Sequence, residues 1–486
     1  MNQDIILLLP VLFPVLAGAL LFWKKLLPKK QARFWYVAVI SAVEFIFVFT
    51  VGSGGYEFGI PFITGHTVFL LRPDRLSILF GVLAAAMWLI SAVYTSEYME
   101  NREERSYQAF FLISIGAITA LCFSGNFITM YLFYELMTLS VLPFIIYEQT
   151  KIAVRTGYQF LLYSLGGSFL GLAGFLLLSG SGFGMEFQAG GFDVILSKRQ
   201  QELALLGCFL MVIGFGSKAG LFPLHGWLPS AHPIAPAPAS ALLSGNVTKM
   251  GVLVILRIIY YIVGGDFLSG TWVQYTLCAL ALGTIMMGSV IASREQLLKR
   301  RLAYSTISQV SYVLFGIFLI EKTAILGALF HIVAHSFAKN ALFLSAGAIV
   351  HKTGKTRADE LRGIGKRMPV TMWMYLLASF TLVGIPPSSA FLSKWYLAQG
   401  ALSSGLSWVC YAGPAVLIAS AVFTAAYLFP VALSGFFPGR EEEEKKCEAS
   451  WRMIVPIMVL SVLAVGFGMF PGGLLQFLEA ICSSIV

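Results

Sequence analysis

Charged side chains lie inside several long apolar stretches of this sequence. Glu135 lies near the middle of GNFITMYLFYELMTLSVLPFII, and Lys218 lies in LLGCFLMVIGFGSKAGLFPLHGW. Lys249 lies in SALLSGNVTKMGVLVILR, and Lys394 follows the proline pair of LVGIPPSSAFLSKW. A charge at the centre of a bilayer costs a few kcal/mol on insertion scales, so each of these residues needs a function or a partner.

Two histidines and a lysine recur four residues apart in LGALFHIVAHSFAKNALFLSAG, as His331, His335 and Lys339. On a helix this spacing places all three along one face. The HxxxH pair could bind zinc, because both imidazoles face the same way. No Cys, Asp or Glu nearby completes a ligand set, and Lys339 would repel a cation. We therefore expect no metal here.

Buried groups of these types are suited to handling protons. Burial disfavours the charged form of a lysine, whereas a nearby carboxylate favours it. A Glu, several Lys and two His could therefore pass protons in modest steps of free energy. The alternative for any single group is a structural ion pair that joins two helices. Glu44 also lies in mid-span, and the sequence offers no partner for it.

Membrane-spanning helices are the elements that must position these residues. Hydrophobic residues make up 58% of the 486 residues and charged residues 12%. The apolar residues form uninterrupted blocks of about 20, the length that crosses a bilayer as an α-helix. We therefore predict an all-α polytopic membrane protein, with a single membrane domain over 1–486 and about fourteen spans. The blocks lie at 5–24, 34–51, 76–96, 107–123, 126–147, 157–180, 203–223, 238–264, 272–292, 302–320, 323–350, 370–400, 411–436 and 453–478.

The distribution of basic residues predicts the orientation. If the N-terminus lies outside, 23 of the 33 Lys and Arg fall in cytoplasmic loops and five in outer loops, with five inside the blocks. This asymmetry follows the positive-inside rule. The net charge of +9 is therefore explained by basic residues in the predicted cytoplasmic loops and does not indicate a nucleic-acid-binding surface. We expect a multi-pass protein of the cell inner (cytoplasmic) membrane with both termini on the outer side.

Two polar loops are predicted to face the cytoplasm, at 351–368 and 438–453. The second contains the acidic run 441–444, which is either a solvated loop or a docking surface for another protein of the same complex.

Pro and Gly interrupt the blocks that carry lysines. The stretch 214–251 contains five prolines, and 382–395 contains a proline pair. Proline removes a backbone donor and clashes with the preceding turn, so we expect these helices to kink or unwind. Freed backbone groups are tolerated at membrane depth only where protein or a water-lined cavity satisfies them. A broken segment in each half of a transporter is a pointer to its ion site. The alternative is that proline merely kinks long helices for packing.

No cofactor is expected in this chain. The six cysteines are scattered without a CxxC pair, so neither a disulfide framework nor an iron–sulfur cluster is implied. The sequence also contains no nucleotide-binding loop or flavin motif. Whether the chain takes part in an enzyme is left open, because any redox chemistry would have to reside in partner subunits.

The motifs together resemble the antiporter-like subunits of respiratory complex I (the L, M and N subunits), Mrp-type sodium/proton antiporters (the A and D subunits) and membrane-bound hydrogenases. The resemblance covers roughly 70–480. It rests on FYEL with Glu135, on TKMG with Lys249, on HIVAHSFAKNALFL and on GIPPSSAFLSK with Lys394. The most specific motif is SKAGLFPLHGWLPSAHPIAPAPASALLSG, which contains Lys218 and His225.

The resemblance implies a fourteen-helix fold with two inverted five-helix repeats, spans 4–8 and 9–13, and broken helices 7, 8 and 12. The divisions would be 1–106 for three N-terminal helices, 107–264 and 265–436 for the repeats, and 437–486 for helix 14. The ion-translocation residues would be Glu135, Lys218, His225, Lys249, His331, His335, Lys339 and Lys394. Glu135 and Lys218 would form a modulating ion pair, Lys249 the central relay, and Lys394 the terminal group near one exit.

The resemblance also implies a function and partners. The chain would move protons or sodium ions within a membrane complex, as the D subunit of an Mrp antiporter or as a related complex I or hydrogenase subunit. Lys394 stands where the M subunit carries Glu, and the long C-terminal helix of the L subunit is not found. The partners would be homologous antiporter-like subunits, small membrane subunits and the lipid bilayer. The alternatives are a stand-alone secondary transporter of a small solute, which would need a mid-membrane pocket, and a purely structural subunit.

Overall fold

The computed structural model describes residues 3–62, 67–100, 102, 104–437 and 446–485. The acidic run predicted in the 438–453 loop lies outside the described residues. The described chain is mostly helical, with one short hairpin of strands β1 (Phe58–Phe62) and β2 (Thr67–Leu71), in which Phe58 lies opposite Leu71.

The helices group into two compact units. The first comprises Met1–Gly216 and Lys249–Gly264, and the second Ser217–Thr248 and Gly265–Val486. In chain order, the first ten α-helices of the described residues are α1 Leu9–Leu20, α2 Lys30–Gly52, α3 Arg75–Tyr98, α4 Arg105–Phe123, α5 Phe127–Ile145, α6 Lys151–Gly180, α7 Lys198–Ala219, α8 Trp227–Ile234, α9 Ala237–Leu242 and α10 Thr248–Arg257. The remaining helices are α11 Gly265–Leu268, α12 Trp272–Arg294, α13 Leu298–Phe318, α14 Lys322–Thr353, α15 Ile364–Arg367, α16 Pro369–Val383, α17 Ser389–Ser403, α18 Val409–Phe436, α19 Trp451–Met469 and α20 Gly472–Ile485.

Within the described residues, eleven helices are long and apolar enough to cross a membrane. They coincide with eleven of the fourteen predicted blocks. The other three blocks correspond to the shorter apolar helix Asp4–Leu20, to α13, and to the pair α16 and α17. The protein is therefore a polytopic helical membrane protein, as the hydropathy predicts.

Side-chain caps set the start of several long helices, as expected from residue type. Asp74 accepts the backbone N–H of Ser77 at the start of α3, at 2.8 Å. Asn126 and Glu321 cap α5 and α14 in the same manner. These short-range bonds start the helices at defined points, which fixes the register of the side chains that follow.

Glycines bring α6 and α7 into backbone contact. A Cβ atom on Gly174 would lie 2.4 Å from the Gly207 carbonyl oxygen, and one on Gly214 would lie 2.3 Å from that of Gly167. Small residues allow helices in membranes to approach closely and gain dispersion contacts. The outward face of α6 exposes large apolar side chains such as Leu162, which is 73% exposed. Helix α6 is thus held by the close packing of one face against α7.

Helix α14 forms the core of the second unit. It packs against α9, α13, α16, α17 and α19. Every residue from Ala324 to Ile349 is buried, including both histidines and Lys339. Three of the candidate residues therefore lie in the best-packed helix of this unit.

The helix breaks predicted in spans 7 and 12 are confirmed. α7 ends at Ala219, one residue after Lys218, and α16 ends at Val383, before α17 restarts at Ser389. Gly220 and Gly384 follow these ends with φ of +82° and +89°, values that favour glycine. Each break therefore lies where a glycine allows the chain to leave the helix.

The break predicted in span 8 takes the form of π-helical turns and not of an unwound segment. Ala237–Val263 forms one continuous helix, in which π-helical turns at Leu243–Val247 and Ile258–Val263 replace an interruption. Pro238 occupies the first turn of α9, where a missing N–H leaves no hydrogen bond unmade. Pro236 and Pro238 thus lie at the start of this helix and do not break it.

Candidate functional site

Glu135 lies midway along α5 in the first unit. Both of its carboxylate oxygens are buried, and among the described residues neither has a hydrogen-bond partner. A buried carboxylate in this state is a strong potential acceptor, because an unsatisfied acceptor inside protein carries the full desolvation penalty. The position suits a group that binds a cation or a proton.

Lys249 lies at the second position of α10 and is 1% exposed. It follows shortly after the π-helical turn Leu243–Val247. Single π-turns inside helices occur frequently at functional sites, because they break the regular i to i−4 ladder. In the second unit, Ser336 of α14 donates to the Gly245 carbonyl of this turn at 2.8 Å, so the histidine helix supports the turn.

Lys218 is fully buried in the last turn of α7. Trp227, the first residue of α8, donates its Nε1–H to the Ser217 carbonyl at 2.9 Å. Its indole therefore satisfies a carbonyl beside the lysine at the point where the helix ends. His225 lies between the two helices, half-buried and stacked on Phe222 with ring centroids 5.8 Å apart.

His331 contacts a side-chain oxygen with each ring nitrogen. Its Nδ1 lies 2.7 Å from Ser393 Oγ, and its Nε2 lies 3.2 Å from Gln309 Oε1. The Ser393 hydroxyl can donate to the Ala390 carbonyl, and the Gln309 amide Nε2 donates to Thr424. The Gln309 oxygen can only accept, whereas the Ser393 hydroxyl can accept from Nδ1 or donate to it. The neutral Nε2–H ring and the imidazolium therefore both satisfy this arrangement.

Tyr312 links His331 to Lys394. The Tyr312 ring stacks on the His331 ring at 5.5 Å, and Lys394 Nζ lies 5.1 Å from the Tyr312 ring centroid. Lys394 also donates to the carbonyls of Leu382 and Val383 at 2.8 Å each, at the C-terminal end of α16. The helix break thus supplies the carbonyl dipoles that hold this cation.

The structure brings together part of the set predicted on α14. The rings of His331 and His335 lie 6.1 Å apart. Lys339 lies further along the helix, where its Nζ donates to the Leu302 carbonyl of α13 at 3.0 Å. In the second unit, His331 therefore lies next to both His335 and Tyr312, Tyr312 lies next to Lys394, and Lys339 bonds to α13.

A hydroxyl-rich face of α13 was not identified from the sequence. Gln309 Nε2 lies 3.4 Å from Thr424 Oγ1, the Tyr427 hydroxyl lies 3.4 Å from the same Thr424 atom, and Ser305 lies 2.6 Å from the Tyr427 hydroxyl. These groups extend the polar contacts of His331 along α13 and α18. The signal was the density of Ser, Thr and Gln in LAYSTISQVSY, within a block counted only for its apolar residues.

Arg257 and Glu44, the two mid-span charges without an assigned role, both have partners in the first unit. Arg257 binds Asp74 through two bonds of 2.6 and 2.7 Å, and its guanidinium lies 4.3 Å from the Tyr261 ring centroid. Glu44 accepts a hydrogen bond from Thr119 at 2.8 Å. Arg257 is thus part of a structural ion pair, the alternative that the sequence left open for any single charge.

Comparisons with known proteins agree with the motifs. A family model described as "NADH:quinone oxidoreductase/Mrp antiporter, TM" matches residues 124–422. The N subunit of NADH-quinone oxidoreductase from Desulforudis audaxviator is 31% identical over 408 residues, which cover 80% of this chain and 79% of that protein. The D subunit of the Na(+)/H(+) antiporter from Bacillus subtilis is 25% identical over 483 residues, which cover 96% and 94%.

The fold also has a close counterpart among solved structures. A chain of the Mrp complex from Dietzia sp. superposes with a TM-score of 0.86 at 20% identity, covering 100% of this chain and 98% of that one. The resemblance inferred from the motifs is confirmed. This chain belongs to the NADH:quinone oxidoreductase/Mrp antiporter transmembrane family.

Proposed function

We propose that this chain translocates H⁺, or Na⁺ in exchange for H⁺, as an antiporter-like subunit of a larger complex in the cytoplasmic membrane. The ions would move along Glu135, Lys218, His225, Lys249, His331, His335, Lys339 and Lys394. The observation that carries this proposal is the setting of His331, where Ser393 and Gln309 can bond the ring in its neutral or its protonated form and Tyr312 connects it to Lys394. A proton bound there has a cationic neighbour within reach, so charge on one group disfavours charge on the other.

The parent complex that we favour is an Mrp-type antiporter, with this chain in the role of its D subunit. The match to the D subunit from Bacillus subtilis extends over 94% of that protein, more than the 79% of the compared N subunit. A complex I or hydrogenase relative is the second candidate, and the higher identity of 31% to the N subunit supports it.

The proposal includes fourteen spans, two inverted repeats and outer termini. In each half a lysine lies beside a helix break, Lys218 before Gly220 and Lys394 after Gly384. Broken helices in corresponding positions of two repeats are typical of transporters. Glu135 and Lys218 would modulate each other as an ion pair within this relay.

Reconstitution of the affinity-purified protein tests the proposal. We expect hydrophobic subunits to copurify, and the complex in sealed vesicles to change the internal pH when a sodium gradient is imposed. A complex I relative would instead move protons only when its electron donor is supplied. If the chain purifies alone and exchanges a small solute without moving H⁺ or Na⁺, the stand-alone transporter is the correct function.

A further inference from the structure

Cationic side chains line a pocket at one end of the first unit. The pocket has a volume of about 250 Å³ and is lined by Lys30, Arg33, Arg102, Glu104 and Arg105. Lys30 and Arg33 belong to the first turn of α2, and Arg105 begins α4. Four cations thus face one carboxylate in a cavity between helix ends.

Two carboxylates and several backbone oxygens hold the cations in place. Glu104 pairs with Lys30 at 3.0 Å and also with Arg33. Glu148, which is not part of the pocket lining, pairs with Arg102. Arg105 donates to backbone carbonyl groups of the segment after α1, and these groups carry no net charge. Among the residues that line the pocket, four cations therefore accompany one carboxylate.

One donor in the pocket is buried and unsatisfied. The Arg33 side chain is 10% exposed, and its Nε has no hydrogen-bond partner among the described residues. Buried donors in proteins usually have a hydrogen-bond partner, so this one is unusual. Because Arg33 lines the cationic pocket, an anion with several oxygen acceptors is the ligand that suits this set of donors.

The surroundings of the pocket indicate a membrane location. Trp23 and Trp35 are 65% and 60% exposed on the segments that flank it. Exposed tryptophans occupy the headgroup level of bilayers. Along α2 from the pocket, Val39, Ile46 and Phe49 are more than half exposed and form an apolar face. A phosphate at the pocket could therefore be joined to acyl chains along this face.

We propose that this pocket binds the phosphate group of an anionic membrane phospholipid. Basic pockets between transmembrane helices on the cytoplasmic side recognise such headgroups. The lipid would hold the starts of α2 and α4 together. A soluble phosphate carries the same oxygen acceptors as a lipid headgroup, and the experiment distinguishes the lipid from the free anion.

The test measures lipid retention by the purified full-length protein, using native mass spectrometry after equilibration with phosphatidylglycerol or phosphatidylcholine. We expect wild type to retain phosphatidylglycerol preferentially. Lys30→Gln with Arg102→Gln should weaken this retention by about fivefold per charge removed, since each basic residue near an anionic surface contributes about 1 kcal/mol. The matched control is Lys151→Gln with Arg155→Gln, which removes two exposed charges from the start of α6 and should retain the lipid as wild type does.

Two results would overturn the proposal. Equal retention by the pocket and control variants would show that the pocket does not select the lipid. Displacement of the lipid by excess inorganic phosphate would show that the pocket is a soluble-anion site. If the double variant does not purify as a monodisperse protein, Arg102→Gln alone carries the same expectation, because that side chain is 38% exposed.

Discussion

Individual residues decide whether the buried charges take part in transport or only in packing. Arg257 has a carboxylate partner that neutralises it, whereas His331 and Lys394 are held by neutral acceptors and an aromatic ring. A charged group that is paired with a fixed countercharge tends to keep its protonation state. Groups held by neutral dipoles can gain or lose a proton with less rearrangement, so the two classes should respond differently to substitution.

Lys249 provides the sharpest test of the relay. Arginine stays protonated at any accessible pH, whereas a buried lysine can release its proton. We predict that Lys249→Arg assembles normally but abolishes ion transport, as Lys249→Ala does. The measurement is ion flux in vesicles with matched amounts of assembled complex, with Lys322→Arg at an exposed position as the control. Wild-type flux in Lys249→Arg would mean that this lysine serves only as an electrostatic anchor.

His331 is predicted to function through its ability to carry two N–H groups. Glutamine in its place keeps one donor group and similar polarity but cannot bind an additional proton. We expect His331→Gln to reduce flux at least about a hundredfold, the lower range of effects of removing a proton-transfer group, with assembly unchanged. His351→Gln is the matched control, because this histidine lies exposed in the last turn of the same helix. A flux equal to that of the control would remove His331 from the relay.

At the scale of elements, the structure and the sequence differ most where a motif depends on position within a helix. The proline-rich stretch predicts a broken span 8, yet Pro238 lies in a first turn and the helix continues through a π-turn. The same prolines would interrupt a helix that began earlier in the chain, so the residue at which the helix starts decides whether they break it. The breaks beside Lys218 and Lys394 were predictable because proline and glycine lie within ten residues of both lysines in the sequence.

The cluster around His331 was only partly predictable for a related reason. Helical spacing places His331 and His335 on one face, and the structure confirms that their rings are neighbours. Spacing within one helix cannot show that Tyr312 of α13 and Lys394 of α17 meet at this cluster, because those contacts depend on tertiary packing. It also cannot show that Lys339 turns to the carbonyl of Leu302.

The contact between α6 and α7 yields a prediction about stability. Gly174→Ala would place a methyl group 2.4 Å from the Gly207 carbonyl, so the helices must separate. Overpacking of this kind costs typically about 1–3 kcal/mol, and we expect a lower midpoint of thermal unfolding in detergent. Gly166→Ala is the control on the same helix, because no atom lies within 4 Å of its added Cβ. A midpoint equal to that of the control would mean that the two helices are not in close contact.

At the scale of the whole molecule, the orientation in the membrane is predicted from the distribution of charge alone. Thr356 is exposed in the loop after α14, which we predict to face the cytoplasm. In a background without the six native cysteines, Thr356→Cys should resist a membrane-impermeant maleimide in intact cells and react after lysis. Arg199→Cys, exposed at the start of α7 on the predicted outer side, should react in intact cells. Labelling of Thr356→Cys before lysis would invert the topology.

The Asp74–Arg257 pair constrains how the sequence can diverge. Asp74 binds both guanidinium nitrogens of Arg257 and also caps α3 through Ser77. Loss of Asp74 leaves the Arg257 charge unpaired in a side chain that is 3% exposed, so that single substitution is expected to be destabilising. An exchanged pair would restore the charges but would remove the cap, because arginine cannot accept the Ser77 N–H. We therefore expect relatives to keep both residues or to replace both with neutral ones, and the reversed pair to be rare.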